Sequence, residues 1–261
     1  MHRTFNGKKS DYEIGRNFAV NAMPRQTFSV IHADHLGKMI AGKTVLHDIS
    51  LNLGRGRCLG IMGPNGSGKT TLLNVLSGLW AASWGSMIRL GIEVGHEPQS
   101  DSRVGYLGHR QWLYPDLTAK ENLQFYACLW RLTHSGTLVE KVLDQVGLKW
   151  FGDERVKSFS RGMRQRLAIA RVILTAPELL LLDEPYTGLD LSAQALLDSL
   201  LQERKSQGVS IILVSHHLRE ISKVADAVAI LADGTFVWWA PLDRAEPPDL
   251  SAIYEEWVKA P

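Results

Sequence analysis

Residues Gly63-Pro64-Asn65-Gly66-Ser67-Gly68-Lys69-Thr70 satisfy the pattern G-x-x-x-x-G-K-[ST]. Glycines at these positions let backbone N–H groups converge on phosphate oxygens without side-chain obstruction. The spacing predicts that Lys69 reaches the β- and γ-phosphates of a nucleotide, and that Thr70 turns its hydroxyl to Mg²⁺. Thr71 continues the same turn, where the free N–H groups of a helix start favour an anion. A second element, Leu179-Leu180-Leu181-Leu182-Asp183-Glu184-Pro185, is an apolar run that ends in two adjacent carboxylates. Neighbouring side chains on a strand point to opposite sides, so the two acids can take different tasks. Asp183 is expected to support Mg²⁺, usually through water, and Glu184 to act as general base on an attacking water.

A third element is Phe159-Ser160-Arg161-Gly162-Met163. Ser160 and Gly162 stand where a helix is expected to begin, and a hydroxyl beside free helix N–H groups makes an anion site. Chemistry-bearing residues therefore lie on three segments far apart in sequence, and a fold must bring them together.

The elements around these motifs alternate. Strands are expected from Phe28, Val30 and Ile31, from Val45 to Leu51, and from Cys58 to Met62, the last a short apolar run of the buried parallel type. A helix is expected over Thr70–Leu79, with Leu72, Leu73, Val75 and Leu76 apolar. The middle, 112–158, reads as helices. Thr118-Ala119-Lys120-Glu121 has the form of a capping box, and Leu138–Val146 has helical spacing. Beyond it come a helix over Gly162–Leu174, a buried strand over Leu179–Leu182, a helix over Leu191–Lys205, a strand over Val209–Val214, and a hairpin over Ala227–Trp239 about Asp233-Gly234. Strands alternating with helices imply an α/β protein with a parallel core. Residues 1–27 carry no period and read as a disordered tail, with Met23 an alternative start. Residues 28–111 and 159–240 form the expected core, 112–158 a helical subdomain, and 241–261 a C-terminal extension.

Composition bounds the function. The chain has 261 residues, a hydrophobic fraction of 45%, a charged fraction of 21% and a net charge of +2. A balance this near neutrality gives no electrostatic footprint for a nucleic-acid partner. No apolar run approaches the ~20 residues that span a bilayer, so a membrane role needs a partner that supplies the spanning helices. Cys58 and Cys128 have neither metal-like spacing nor a disulfide framework and read as reduced thiols. No secretory signal follows Met1.

Taken with the phosphate loop and the paired carboxylates, the segment from Phe159 to Arg166 resembles the signature of ATP-binding cassette (ABC) ATPases, and the likeness covers about 28–240. It implies the P-loop NTPase fold of that family, with a parallel-sheet core, an antiparallel β flank and a helical subdomain. It also implies ATP and Mg²⁺ as ligands, and a nucleotide sandwiched between two copies. Ser160 and Gly162 would then bind the γ-phosphate of ATP held by the opposing subunit. Gly188-Leu189-Asp190 looks like the loop that contacts the partner subunit, with Asp190 near the nucleotide. Ser215-His216 looks like the switch histidine, His216 bonding the γ-phosphate and orienting water. A separate transmembrane permease would hold the chain at the cytoplasmic face of the cell membrane, with Trp112 and Tyr114 a docking face. The isolated chain would be monomeric without ATP.

Three departures stand out. Arg161 and Met163 replace the common Gly and Gln of the signature, a form similar to exporter-type ATPases. Ile40 stands where an adenine-stacking aromatic is usual. His109 stands where the family has the glutamine that contacts Mg²⁺. Two readings remain open there: either the His109 imidazole faces the metal's shell, or His109 is a surface residue and Gln111 takes over. Gly108-His109, the run Tyr114 to Asn122-Leu123, Phe159 to Met163 and Asp183 to Asp190 together most resemble the haem-exporter ATPase of cytochrome c maturation. A drug- or lipid-exporter ATPase, and a non-transport ABC ATPase or nucleotide-dependent binding module, are the alternatives.

Overall fold

The computed structural model describes residues 29–95, 97–242 and 249–258. The expected N-terminal tail and Phe28 lie outside the described residues. The elements run in the order β1 (Ser29–Ile40), β2 (Lys43–Gly54), β3 (Cys58–Met62), α1 (Lys69–Ser77), β4 (Trp84–Arg89), β5 (Ile92–Glu93), β6 (Val104–Leu107), α2 (Ala119–Leu129), α3 (Ser135–Gln145), α4 (Arg161–Ile173), β7 (Leu179–Asp183), α5 (Leu191–Ser206), β8 (Ser210–Val214), α6 (Leu218–Val224), β9 (Ala227–Ala232), β10 (Thr235–Pro241) and α7 (Leu250–Val258).

Two sheets result. The larger has the order β10-β9-β3-β8-β7-β6, with every pair parallel except the β9–β10 hairpin. The smaller, β2-β1-β4-β5, is antiparallel throughout. This is the parallel core with an antiparallel flank that the sequence implies.

Strands β3, β7 and β8 are buried at every position. They read as unbroken apolar runs because helices or a second sheet cover both faces. The alternation of strand side chains then divides the core in two. Leu59, Ile61, Leu179, Leu181, Ile212 and Val214 face α1 and the antiparallel sheet. Met62, Leu180, Leu182, Ile211 and Leu213 face the cluster that includes α2, α3, α4 and α5. Gly60 admits α6 against β3, since a Cβ there would lie 2.3 Å from Ile221 Cγ2.

The strand order decides where chemistry can occur. β3, β8, β7 and β6 are successive neighbours, so their carboxyl ends share one edge. The phosphate loop, Ser215-His216, Asp183-Glu184 and Gly108-His109 leave that edge in the same order, at strand spacings of about 4.8 Å.

Boundaries differ from the sequence reading at α1. The helix closes at Ser77 rather than Leu79, because Gly78 turns left-handed at φ 81° and donates its N–H to Val75 O. The buried Arg89 guanidinium then donates to Leu76 O at 3.0 Å, satisfying a carbonyl of the last turn. The sequence pattern does not predict β4, β5, β6, α6 or α7. α7 places Leu250 in the core and Ile253, Tyr254 and Trp257 against it. The hairpin does turn at Asp233 and Gly234, both left-handed at φ 46° and 79°.

The expected capping box opens α2. Thr118 Oγ1 accepts the Glu121 N–H at 3.1 Å, and Glu121 Oε2 accepts the Thr118 N–H at 2.7 Å. Thr118→Ala removes one of these bonds and should lower stability by about 1 kcal/mol, read as a shift in the urea midpoint. An unchanged midpoint would mean the cap does not support the helix.

Candidate functional site

The phosphate loop is held open by backbone that only glycine supplies. Gly63 has φ 155°, and a Cβ on it would lie 2.0 Å from Leu231 O of β9. Gly68, at φ 102°, would put a Cβ 2.8 Å from Leu46 Cδ2. Gly66 faces open space, and Asn65 beside it is exposed. The loop is tied down by Ser67 N–H donating to Pro64 O at 3.2 Å and Gly234 N–H donating to Ser67 O at 3.1 Å. Ser67 is buried, yet its Oγ has no hydrogen-bond partner among the described residues. No side chain caps α1, whose first turn carries Lys69, Thr70 and Thr71. An orphaned hydroxyl beside an uncapped helix start is what a phosphate oxygen would satisfy. Lys69 Nζ folds across the loop and donates to Gly63 O at 2.8 Å and Pro64 O at 2.7 Å. Burial lowers its pKa, opposed by the charges of Glu184 and Asp183. Bound phosphate would offer the ammonium charged acceptors in place of two carbonyls.

Asp183 meets this loop from β7. Thr70 Oγ1 donates to Asp183 Oδ2 at 2.7 Å. The Asp183 side chain is 2% exposed, and burial pushes its carboxyl above the ordinary range, opposed by the Thr70 hydrogen bond and by His109. Two hard oxygen donors in contact, one a desolvated carboxylate, fit a divalent cation such as Mg²⁺. His109 arrives from the end of β6, with Nε2 3.5 Å from Thr70 Oγ1 and 3.6 Å from Asp183 Oδ2. Gln111 points elsewhere, its Nε2 donating to Gln165 Oε1 at 2.9 Å. Of the two open readings, the geometry therefore brings His109 to the oxygens and not Gln111.

Glu184 turns away from Asp183. Its backbone is left-handed at φ 51°, and its N–H donates to Val214 O at 2.9 Å. Its carboxylate is gripped by the neighbouring strand end: Oε1 accepts the His216 N–H at 3.1 Å, and Oε2 lies 2.8 Å from His216 Nδ1. Behind this pair lies a network that the sequence reading missed. The buried Ser215 hydroxyl donates to Glu220 Oε2 and accepts the His217 N–H at 3.0 Å, so the turn carrying His216 is fixed on both sides. The signal was a glutamate on the first turn of a helix directly after Ser-His, but a helix as short as α6 leaves little periodicity to find.

Ser160, Gly162 and Asp190 do not join this cluster. Among the described residues, none of the three hydrogen-bonds to the phosphate loop, Asp183, Glu184 or His216. Ser160 is the N-cap of α4, its Oγ accepting the Met163 N–H at 3.1 Å. Gly162 packs on the 188 turn, where a Cβ would fall 2.9 Å from Gly188 O. Asp190 caps α5 by accepting from Ala193 N–H at 2.8 Å and Ser192 Oγ at 2.7 Å, bonds that hold its carboxyl below the usual range. Gln165 links α4 to the acidic strand end through a 2.9 Å bond from its Nε2 to Pro185 O. Ile40 is 37% exposed at the tip of the β1–β2 hairpin.

A phosphate loop, a buried acid on its threonine and a second acid paired with a strand-end histidine make an arrangement for nucleotide phosphoryl chemistry. The family model described as ABC transporter matches residues 46–187, from β2 through the turn that follows Glu184. The chain belongs to the ABC transporter family. As an ABC ATPase it is similar to YcbN of Bacillus subtilis (strain 168), an uncharacterized ABC transporter ATP-binding protein, with 37% identity over 207 residues, 78% of this chain and 67% of that protein. It is 31% identical over 211 residues to the linearmycin resistance ATP-binding protein LnrL of the same organism, covering 80% of this chain and 68% of that one. A solved ATP-binding subunit of an ABC transporter superposes with a TM-score of 0.79 at 26% identity, over 87% of this chain and 99% of that one. The chain is thus an ATP-binding, ATP-hydrolysing subunit of an ABC transporter.

Two outcomes follow from the site. Glu184→Gln keeps the side-chain volume and a bond to His216 but removes the proton acceptor. Steady-state ATP turnover should fall by 10² or more while ATP binding persists. Normal turnover would show that another group is the base. Burial raises the Glu220 pKa above the ordinary glutamate value of 4.5, against the opposing Ser215 hydrogen bond. The stability this group contributes is full below that value and is lost as pH rises through the raised folded value. Glu220→Gln should therefore flatten the stability–pH curve measured by urea denaturation upward from pH 4.5, and an unaltered curve would exclude that linkage.

Proposed function

We propose that this ABC ATPase powers an export-type transporter as a nucleotide-sandwiched pair of copies, docked at the cytoplasmic face of the membrane on a separate permease. The observation that carries the reading is the split of the phosphate-binding parts. The loop, Asp183, Glu184 and His216 form one cluster, while the anion-binding start of α4 lies outside it with Ser160 exposed. A second copy would bring that helix start over the nucleotide and complete the site. Leu191, 84% exposed beside Asp190, belongs to the same unpartnered surface.

Within the completed site the loop amides and Lys69 hold the phosphate oxygens. Thr70 and Asp183 would hold Mg²⁺, which would supply positive charge against the negative charge that develops on the phosphates. Glu184 takes a proton from the attacking water. His216 holds the Glu184 carboxylate through Nδ1 and leaves Nε2 to face a phosphate oxygen. Donation from both ring nitrogens requires the doubly protonated ring, so the grip on Glu184 and the grip on phosphate compete in the neutral form.

The membrane partner is supported by an exposed aromatic surface on 112–158, the segment read as the helical subdomain. Trp112 is 59% and Tyr114 45% exposed. Tyr114 packs edge-on to Phe125 at 4.9 Å between centroids, and the Tyr126 hydroxyl donates to Trp112 O, so the surface is held in shape. No helix among the described residues is long and apolar enough to cross a membrane.

For cargo, the resemblance carried by Gly108-His109, Tyr114 to Leu123, Phe159 to Met163 and Asp183 to Asp190 supports haem export in cytochrome c maturation. The name of LnrL supports instead a drug-type exporter. Copurification from membranes distinguishes them: a permease that carries haem into proteoliposomes on ATP addition supports the first, and one that moves an amphiphilic drug but not haem excludes it. Ser160→Arg should leave ATP binding within about twofold yet lower turnover at least 10²-fold, because it blocks the anion site that this chain offers to the nucleotide on the opposing copy. Turnover that survives this change would overturn the shared-site reading.

A further inference from the structure

The donors around Asp183 are not all oxygens. Thr70 Oγ1 and Asp183 Oδ2 are 2.7 Å apart, and His109 Nε2 lies 3.5 Å from the first and 3.6 Å from the second. An octahedral ion with bonds of about 2.1 Å places adjacent ligands roughly 3.0 Å apart. Three donor atoms grouped this closely would, after a small adjustment, serve as ligands of one such shell. A movement of a few tenths of an ångström closes the His109 edges, and binding of a cation would itself lengthen the Thr70–Asp183 contact.

Several features leave His109 free for this task. Its side chain is 67% exposed, so reorienting the ring disrupts no packing. Arg110 turns its guanidinium over the Trp112 ring at 5.9 Å, which keeps that cation's charge with the aromatic. Gln111, the neighbouring amide that could have supplied an oxygen, is bonded to Gln165. Gly108 sits where a Cβ would fall 2.6 Å from Tyr106 Oη, so the backbone that aims His109 runs close against that ring.

We propose that His109 supplies a nitrogen ligand directly to the divalent cation held by Thr70 and Asp183, and that this site consequently favours a nitrogen-accepting cation such as Mn²⁺ or Co²⁺ over Mg²⁺ more than an all-oxygen shell does. The inference rests on the reading of Thr70 and Asp183 as the cation's oxygens. Its chemical basis is that imidazole suits transition-metal ions, whereas Mg²⁺ prefers carboxylate, hydroxyl and water. The ring must be neutral at Nε2 to coordinate, with its proton on Nδ1.

The test uses the full chain with Mn²⁺ and a methylene-bridged ATP analogue, whose triphosphate carries no nitrogen. Pulsed electron paramagnetic resonance should detect a directly bound imidazole ¹⁴N in the wild type and lose it in His109→Gln. In competition titrations, His109→Gln should reduce the preference for Mn²⁺ over Mg²⁺ by roughly tenfold, the scale of lost ligand support. Bound Mn²⁺ without nitrogen coupling in the wild type, or a preference ratio unchanged by the substitution, would overturn the inference. Thr70→Ala separates the two readings. If it releases Mn²⁺ while no nitrogen coupling is seen, the oxygens stand and only His109 falls. If wild type binds no Mn²⁺ with the analogue, the oxygen reading falls and this inference with it.

Discussion

Everything at this site depends on three adjacent strands, β3, β8 and β7, that are buried on both faces and run the same way. A buried parallel strand has no freedom to slide, because a slip of one residue would exchange the two halves of the core. Its last residue is therefore fixed in space, and whatever leaves it is aimed. Thr70 meets Asp183 because the loop after β3 and the end of β7 reach the same edge. Glu184 meets His216 because β7 and β8 are neighbours. The residues that do chemistry sit on short turns, and their precision is borrowed from apolar side chains that touch no substrate.

Much of this was legible in the sequence, for identifiable reasons. Cys58–Met62, Leu179–Leu182 and Val209–Val214 announced themselves because full burial removes polar positions altogether. The Thr118–Glu121 box and the Asp233-Gly234 turn were legible because each depends on local chemistry that needs no tertiary partner. The flank was less so. β4 keeps only Met87 and Arg89 buried, opposite the buried Ala33 and Ile31 of β1, and one of those two is a charged residue. No periodicity rule marks an arginine as core, and its burial makes sense only once the end of α1 is seen to need a donor. Position 109 was undecidable from sequence for a similar reason: what separates His109 from Gln111 is that Gln165 occupies the latter.

Gln165 also ties the two halves of the proposed function. It bonds Gln111, beside the exposed aromatic surface, and Pro185, next to Glu184. Two hydrogen bonds thus join the segment read as the permease-facing side to Pro185, the residue after the proposed base. Contiguity alone is not coupling. It does mean that a displacement of the loop at 111 cannot leave the α4 start and the 185 turn unaffected without breaking a bond first.

The left-handed backbone of Glu184 has a consequence for how such a chain can change over time. At φ 51° a side chain with a Cβ is held at a cost of roughly 1 kcal/mol or more, which the Val214 bond and the surrounding strands offset. Glycine or asparagine would relax the backbone here, so substitutions that remove the proposed base would also relieve this strain, at the loss of the carboxylate's bonds to His216. On its proposed role as the base, it is the demand for hydrolysis that keeps a glutamate in a conformation its own backbone resists.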